Sequence, residues 1–347
     1  FEKHGVLCVV PAYDVVQIPA NKALTIKAAI RSGFPTPITF FPKSIRDLDG
    51  VIARSKPPWV VKARYGAHRN FVRFVEDEQS LRDAFTEIAA VQPEPLVQEF
   101  IGGTERQNYY VTVGRNSELL SVLSPETVRT HRAGKHYAIK TVRSKSSAPY
   151  LKELCKLVSD LGLWGAYTIQ TKVDPLDGMP KLMEINVRFG HHLWYRTELG
   201  VNEPLLILQL AQGQHVEPQR FPEGVLLVDP YHDLFYLAHC LVETVARRIG
   251  RPPRLEYDAS ISQAFRDIRA DYWNREPKVY GPEFRYLIDD PYPMLRKFSS
   301  QVIARLRGRA PDWIVSVLRR ARNYSSGTSL HNAKTRRKTV REKSLRT

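Results

Sequence analysis

Three polar residues at alternate positions of one β-type run have the chemistry to bind a metal ion and a phosphate. The run spans Lys181–Phe189, and Glu184, Asn186 and Arg188 occupy every second position in it. Alternate residues of a strand point to the same face, so the run would present a carboxylate, an amide and a guanidinium together. Carboxylate and amide oxygens suit Mg²⁺, which completes its coordination shell with water and substrate phosphates.

A second β-type run supplies a fourth polar group. Residues Ala166–Val173 precede the first run, and the pair Asp177-Gly178 between the two favours a hairpin turn. Folding at this turn brings Gln170 roughly opposite Glu184 and Ile185. The pattern therefore predicts a metal-binding face on a hairpin. The alternative is an ordinary hairpin whose outer face is polar because water covers it.

The segment Met183–Phe189, MEINVRF, resembles the metal-binding signature E-x-N-x-R of the ATP-grasp superfamily. The carbamoyl phosphate synthetase-like branch, with its carboxylate-amine ligases, also uses Gln as the first ligand, as Gln170 does here. The resemblance implies that Gln170, Glu184 and Asn186 hold Mg²⁺, with Mn²⁺ as an alternative ion. It also implies that Arg188 is catalytic and steadies the transferring phosphoryl group.

The segment Pro58–Tyr65, PWVVKARY, resembles the strand whose lysine meets the ATP phosphates in this family. The resemblance makes Lys62 a catalytic and phosphate-binding residue and adds Arg64 and Gly66 to the nucleotide site. The following loop, GAHRN, has a single glycine where the family usually has several, so charge rather than backbone amides would cover the phosphates. For Lys62 the alternative is a solubility lysine on an edge strand.

A predicted helix over Ala23–Ser32 follows Asn21, which can cap it, and ends at Gly33. With Pro35, this stretch resembles the DK…GIPTP segment of the family, with Asn21 in the place of the usual Asp. Lys22 is then a predicted nucleotide contact. A solvated surface lysine is the alternative.

The segment Pro95–Glu105 resembles the hinge between the two ATP-grasp subdomains. In the family, the backbone of the matching hinge residues reads the adenine edge, and a matching acid accepts hydrogen bonds from the ribose hydroxyls. The alternative is an exposed acid on a helix-like connection. The resemblance assigns the nucleoside to Gln98, Glu99, Phe100, Ile101 and Glu105, with Glu99 or Glu105 as the ribose acid.

Two further basic segments lie near these motifs. Pro125–Arg143 is expected to be a large loop, and the family's loop at this place helps to close the acyl-phosphate site. Its cations are candidates for binding an anionic substrate, or else belong to a solvated basic loop: Arg129, Arg132 and Lys135. His191 and His192 are expected to line the pocket. Adjacent residues of an extended chain point to different sides, so the two are not expected to share a metal, and one of them is expected to touch the substrate.

Periodicity places the remaining elements. Strands are predicted for Tyr109–Val113 and Glu118–Leu123, and helices for Ser80–Val91, Ala148–Gly162, Asn202–Gly213 and Leu234–Ile249. His232 and Asp233 are expected to cap and pack the last helix. Residues 270–293 are expected to form a compact but irregular extension.

Composition bounds the class of protein. The 347 residues have the apolar and charged fractions of a globular protein, and no apolar run reaches the roughly 20 residues that span a bilayer. Three scattered cysteines suggest neither disulfides nor zinc. The net charge is +16, but residues 301–347 hold 13 Lys and Arg against two acids, so residues 1–300 carry only +5. The basicity therefore belongs to a tail, and no specific nucleic acid is expected as a partner.

The expected fold is α+β, an ATP-grasp fold whose two subdomains clamp ATP between antiparallel sheets, with a C-terminal helical extension. The expected divisions are a remnant of a preceding α/β domain (1–20), the two subdomains (21–95 and 96–215), an extension (216–300) and a basic amphipathic and disordered tail (301–347). The buried-strand type run Gly5–Val10 suggests that the chain is truncated at its N-terminus, and a short family variant is the alternative.

The expected activity is that of an ADP-forming carboxylate-amine ligase with ATP and Mg²⁺ as cofactors and a small carboxylate and an amine as substrates. A cytoplasmic location fits, with the basic segment as an alternative contact to the inner membrane face. Two other functions stay open. One is a catalytically degenerate ATP-binding or scaffold protein, and the other is a membrane-associated or nucleic-acid-associated protein that acts through its tail.

Overall fold

The computed structural model describes residues 4–5, 11–66, 71–103, 106–132, 138–145, 148–190, 193–248 and 260–281. The helices are α1 (Tyr13–Ala20), α2 (Lys22–Ser32), α3 (Leu48–Ile52), α4 (Glu78–Ala89), α5 (Leu151–Asp160), α6 (Leu193–Glu198), α7 (Glu203–Ala211), α8 (Pro230–Arg248) and α9 (Ile261–Trp273). The strands are β1 (Thr39–Phe40), β2 (Trp59–Lys62), β3 (Val72–Val75), β4 (Leu96–Glu99), β5 (Asn108–Val113), β6 (Leu119–Leu123), β7 (Glu126–Arg132), β8 (Ala138–Arg143), β9 (Gly165–Val173), β10 (Pro180–Asn186), β11 (Leu226–Val228) and β12 (Lys278–Tyr280).

The first sheet is antiparallel, with the strand order β1-β4-β2-β3. One face packs on α3 and α4 through a core that includes Trp59, Val61, Val97 and Phe85. The period of two then sends Val60, Lys62 and Gln98 to the other face. The core face thus fixes which side of the sheet carries the lysine.

The second sheet is also antiparallel, with the order β10-β9-β5-β6. Its core face packs on α2 and α5 through Tyr109, Val111, Ile169 and Ile185, among others. The predicted hairpin is present, with Gly178 in its turn at φ +70°.

A β-bulge sets the register of this hairpin. Thr171 pairs with Leu182 and Gln170 pairs with Glu184, so Met183 is the extra residue on β10. A regular ladder would have placed Met183 opposite Gln170. Because of the bulge, the carboxylate faces the amide across the strands.

The start of α2 shows why the chain turns into a helix there. Asn21 accepts hydrogen bonds from the backbone N–H groups of Ala23 and Leu24, as the sequence predicts, and Gly33 ends the helix at φ +79°. Replacing such a cap by alanine typically costs about 1 kcal/mol. Helix α1, directly before it, was not predicted from the sequence.

The chain divides into two compact units, residues 1–127 with 142–225, and residues 128–141 with 226–347. Both sheets described above lie in the first unit. In the second unit, α8 packs on α9, and Tyr236, Cys240 and Ala264 form a small core.

Some predictions for the chain beyond residue 124 were wrong. Residues 125–143 hold the strands β7 and β8 of a third sheet, ordered β12-β11-β8-β7, rather than a large loop. The predicted irregular extension, residues 270–293, overlaps the end of α9 and contains β12, and its residues 282–293 lie outside the described residues. Helix α8 begins at Pro230, which places Asp233 inside the helix, where it packs but does not cap.

The helices that the structure describes include none that is long and apolar enough to cross a membrane. The predicted amphipathic and disordered tail lies outside the described residues.

Candidate nucleotide and metal site

Six residues form two rows across the polar face of the second sheet. Residues directly opposite each other in neighbouring strands share a face, and β5, β9 and β10 are adjacent in this order. The first row is Asn108, Gln170 and Glu184, and the second is Tyr110, Thr168 and Asn186. The structure therefore brings together the three predicted metal ligands on one surface.

The geometry of these ligands leaves oxygens for a cation. The Asn186 Nδ2 group donates to Glu184 Oε1 at 3.0 Å, which turns the two side chains towards each other. Asn186 Oδ1, Glu184 Oε2 and Gln170 Oε1 are hard oxygen donors of the kind that Mg²⁺ takes. On the same face, the buried Oδ1 of Asn108 and Oγ1 of Thr168 have no hydrogen-bond partner. The donor set fits a magnesium ion.

This donor set is poor in charge. The described residues contain no group of three or more His, Cys, Asp and Glu that could hold a metal. Glu184 is the one carboxylate among the three predicted ligands, so an ion here would receive most of its neutralising charge from substrate phosphates.

Lys62 lies on the face of the first sheet opposite its core. Its Nζ donates to Gln98 Oε1 at 2.7 Å, and Gln98 Nε2 in turn donates to Thr39 Oγ1 at 2.9 Å. Burial, together with the charges of Lys22 and Lys172, lowers the Lys62 pKa to about 8, against the opposing pull of the Glu184 carboxylate. Lys62 is thus a buried amine that would gain from an anionic ligand.

Lys22, the first residue of α2, is the second lysine of the site. Its Nζ donates to the backbone carbonyl of Gly66 at 2.5 Å, and the neighbouring Asn21 donates to the Tyr65 hydroxyl at 2.9 Å. Burial lowers the Lys22 pKa, and the Glu184 carboxylate opposes this shift. Lys22, Lys62 and Glu184 therefore lie within electrostatic range of one another. Gly66 has φ +88°, a conformation that glycine adopts without strain.

Two lysines link the segment 96–101, which is the predicted hinge, to the β9–β10 hairpin, which carries the predicted metal ligands. Lys181 Nζ contacts Asp174 at 2.5 Å and Glu99 at 3.2 Å, and Lys172 donates to the Ile101 carbonyl while lying 4.9 Å from the centroid of the Phe100 ring.

The Glu99 carboxylate also accepts from the Ile38 N–H at 2.9 Å. Two protein donors thus already hold this carboxylate. Glu105, the other predicted ribose acid, lies outside the described residues.

Two predicted cations do not join the lysines. Arg64 pairs with the Glu94 carboxylate and donates from Nε to the Glu94 carbonyl at 2.7 Å, so its guanidinium supports the fold of this segment. Arg129 is buried in an ion pair with Asp233 (2.9 Å) and Asp271 (2.5 Å) in the second unit, which contradicts its interpretation as a substrate-binding residue.

Of the other residues predicted to belong to the site, Arg188 is exposed and the rest lie outside the described residues. Arg188 lies two residues beyond the end of β10 and is exposed, donating to the Phe189 carbonyl at 3.2 Å. Lys135, His191, His192 and the loop residues 67–70 are outside the described residues, as is the side chain of Arg132.

Sequence reasoning missed two features of the site. The Gln98 side chain orients Lys62, whereas only its backbone was expected to act. Arg196 and Glu203 form a buried ion pair at 2.7 Å next to Tyr110, and the signal that could have revealed it is a charged residue within each apolar helical segment.

The chain has two antiparallel sheets, each packed on helices, with Lys62 on a strand of the first and the β9–β10 hairpin in the second, and this is the arrangement of an ATP-grasp fold. Residues 19–191 match the family model described as the ATP-grasp domain. The chain therefore belongs to the ATP-grasp superfamily. Among curated protein sequences, no match to the chain is found.

Solved structures share this fold. One is the biotin carboxylase domain dimer of 2-oxoglutarate carboxylase from Hydrogenobacter thermophilus in complex with MgADP, ADP and bicarbonate (TM-score 0.53, 18% identity, 63% of this chain and 52% of that chain covered). Another is a biotin carboxylase β,γ-ATP complex from Campylobacter jejuni (0.52, 16%, 62% and 51%). A third is N5-carboxyaminoimidazole synthetase from Staphylococcus aureus complexed with ADP (0.50, 16%, 61% and 56%). The chain spans about half the length of these proteins.

Proposed function

We propose that this protein is an ATP-dependent ligase that activates a carboxylate as an acyl phosphate and joins it to an amine. The observation that carries the proposal is that Lys22 and Lys62 lie within electrostatic range of Glu184, which shares one face with Gln170 and Asn186, on an ATP-grasp fold. A carboxylate beside two amides, with two lysine ammonium groups within electrostatic range, is an arrangement that can hold a metal-bound polyphosphate.

Each residue has a role in this proposal. Glu184, Asn186 and Gln170 would hold Mg²⁺, or Mn²⁺ in its place, and the ion when bound would neutralise phosphate charge. Lys62 and Lys22 would bind the phosphate oxygens. The nucleoside would lie along Gln98–Ile101.

The chemistry needs no nucleophilic side chain. A substrate carboxylate oxygen attacks the γ-phosphorus of ATP, the bond to the ADP oxygen breaks, and ADP leaves. An amine then attacks the acyl carbon, phosphate leaves, and the amine loses a proton as the amide forms. Arg188, exposed beyond β10, would stabilise charge on the transferring phosphoryl group. Such transfer depends mainly on positioning and charge neutralisation.

The proposal is tested by calorimetric binding of ATP with and without Mg²⁺, followed by a screen of acid and amine pairs for phosphate release. We expect Glu184→Ala to abolish the Mg²⁺-dependent part of ATP binding and all turnover while the protein stays folded. Glu198→Ala, an exposed acid on α6, is the matched control and should behave as wild type. Full Mg²⁺-dependent turnover by the Glu184→Ala protein would refute the assignment.

A second candidate is an ATP-binding protein that transfers no phosphoryl group. It is favoured by the single carboxylate among the metal ligands and by the single glycine in the segment that follows Lys62. Such a protein would bind ATP with Mg²⁺ but release no ADP or phosphate with any pair of substrates, so the same two measurements separate the candidates.

A further inference from the structure

The ring of Tyr110 contacts both the segment that follows β10 and the buried guanidinium of Arg196. A Cβ added at Gly190 would overlap the Tyr110 ring and the Thr168 hydroxyl, so the backbone at Gly190 lies directly against both. The Arg196 guanidinium carbon lies 4.6 Å from the centroid of the same ring. Tyr110 is 8% exposed and belongs to the row that contains Asn186.

Arg196 is held in turn by a carboxylate. Its Nε lies 2.7 Å from Glu203 Oε2, and both residues are 1% exposed. Burial raises the Glu203 pKa, and the Arg196 charge and the nearby hydroxyls of Thr112 and Ser121 oppose the shift. The geometry is thus a chain of contacts from Glu203 through Arg196 and Tyr110 to Gly190.

Stability alone does not account for this ion pair. Replacing a buried pair by apolar residues of similar volume is often neutral or stabilising, because desolvating two charges costs as much as their attraction returns. A planar guanidinium, however, stacks on an aromatic ring in a way that an aliphatic side chain cannot reproduce. The pair is therefore better explained by the orientation of the ring.

We infer that Arg196 is a positioning residue of the metal and phosphate site, acting through Tyr110 on the segment from Asn186 to Gly190. This inference rests on the proposed function. Asn186 is the last residue of β10 and lies in the same row as Tyr110, and Arg188 lies between Asn186 and Gly190. The position of the Tyr110 ring therefore affects Asn186 across the row and Arg188 through the path of the chain to Gly190. Phosphoryl transfer is sensitive to displacements of about 1 Å.

The test compares variants that change the stacking of Arg196 on Tyr110 with a variant that changes the stacking of another arginine on another aromatic ring. Arg196→Lys keeps a positive charge next to Glu203 but loses the planar guanidinium that stacks on the Tyr110 ring. Arg196→Met/Glu203→Leu replaces the whole pair by apolar side chains and so avoids an unpaired buried carboxylate. The matched control is Arg115→Met, since Arg115 stacks on Trp164 at 4.3 Å, at the end of β5 opposite to Asn108. Thermal unfolding identifies the variants that remain folded.

The readout is the factor by which Mg²⁺ raises the affinity for ATP in calorimetry. We expect this factor to fall about tenfold in both Arg196 variants, with Mg²⁺-free affinity unchanged within about twofold, and Arg115→Met to match wild type. Adding Arg196→Lys to Asn186→Ala should cause no further loss, because both changes act on the same ligand.

Three other outcomes count against the inference. The folded Arg196 variants could keep the wild-type gain in ATP affinity with Mg²⁺ while Glu184→Ala loses it. That result would overturn the role of Arg196 and leave the proposed function intact. Fully additive losses with Asn186→Ala would show a general structural effect and overturn it too. The absence of any Mg²⁺-dependent affinity in wild type would overturn the proposed function and this inference together.

Discussion

The lowered pKa of Lys62 leads to a quantitative prediction for nucleotide binding. The pKa of this buried amine is about 8, against 10.5 for an unperturbed lysine, because burial disfavours its charged form. A phosphate oxygen pairs with the ammonium form and not with the neutral amine. ATP affinity should therefore fall as the pH rises through 8.

The size of the effect follows from the fraction of Lys62 that is charged. With a pKa of about 8, this fraction is about 0.9 at pH 7, about 0.5 at pH 8 and about 0.1 at pH 9. ATP affinity should thus drop about tenfold between pH 7 and pH 9. At pH 8, binding should take up about half a proton, because the bound phosphate raises the Lys62 pKa.

The free energy of unfolding depends on pH with the opposite sign: at Lys62 it rises with pH, whereas ATP affinity falls. Between pH 8 and 10.5 the unfolded chain keeps a proton that the folded chain has released, so the burial penalty at Lys62 is fully present below pH 8 and disappears as the pH rises towards 10.5. A loss of ATP affinity over this range therefore cannot be attributed to a loss of stability at this residue.

Isothermal calorimetry can measure both the ATP affinity and the proton uptake on binding. Titrating ATP at pH 7, 8 and 9 gives the affinity, and repeating the pH 8 titration in buffers of different ionisation enthalpy gives the proton uptake. Lys62→Arg, whose guanidinium stays charged throughout, should flatten the profile, and Lys62→Met should remove the uptake. The reasoning would be refuted by an equally steep profile in Lys62→Arg, or by zero uptake in wild type.

Three further predictions follow from individual contacts, and a fourth concerns the C-terminal tail. Gly190→Ala should destabilise the protein by about 1–3 kcal/mol in denaturant unfolding, because its Cβ overlaps Tyr110, and an unchanged midpoint would contradict that contact. Arg129→Ala should cost about 3–5 kcal/mol, since it leaves two buried carboxylates without their cation; a loss below about 1 kcal/mol would show that the pair is not buried. Asn21→Ala should cost about 1 kcal/mol through the lost helix cap, whereas Asn21→Asp, which keeps the capping oxygen, should not. Deleting residues 324–347 should leave ATP affinity within about twofold, and a larger loss would favour the function through the tail.

Local patterns predicted the parts of the fold that short-range physics controls. The cap at Asn21, the end of α2 at Gly33 and the turn at Gly178 are each set by one residue type in one backbone conformation. Where periodicity is weak, prediction failed. The cation-rich segment 125–143 looks like a solvated loop, but β7 and β8 pair within a third sheet whose other strands come from beyond residue 225.

The sequence by itself predicted the candidate site: the E-x-N-x-R spacing, the glutamine before it and the lysine strand name groups with the chemistry to hold a metal and phosphates, and this assignment stays a prediction. The roles of Gln98, Tyr110, Arg196 and Glu203 were decided by tertiary structure, because their partners are distant in sequence or belong to other elements.

The exact register of the β9–β10 hairpin was also decided by tertiary packing. The sequence predicts Gln170 roughly opposite Glu184 and Ile185, and the structure confirms the pair with Glu184. A regular ladder continued from the Thr171–Leu182 pair would instead place Met183 opposite Gln170, so the exact register depends on the bulge at Met183. The physical reason is the core: Leu182 and Ile185 both pack against α2 and α5 although they are three residues apart, and one extra residue is needed to send both inward. The packing of two apolar side chains thus places the carboxylate on the face that carries its amide partners.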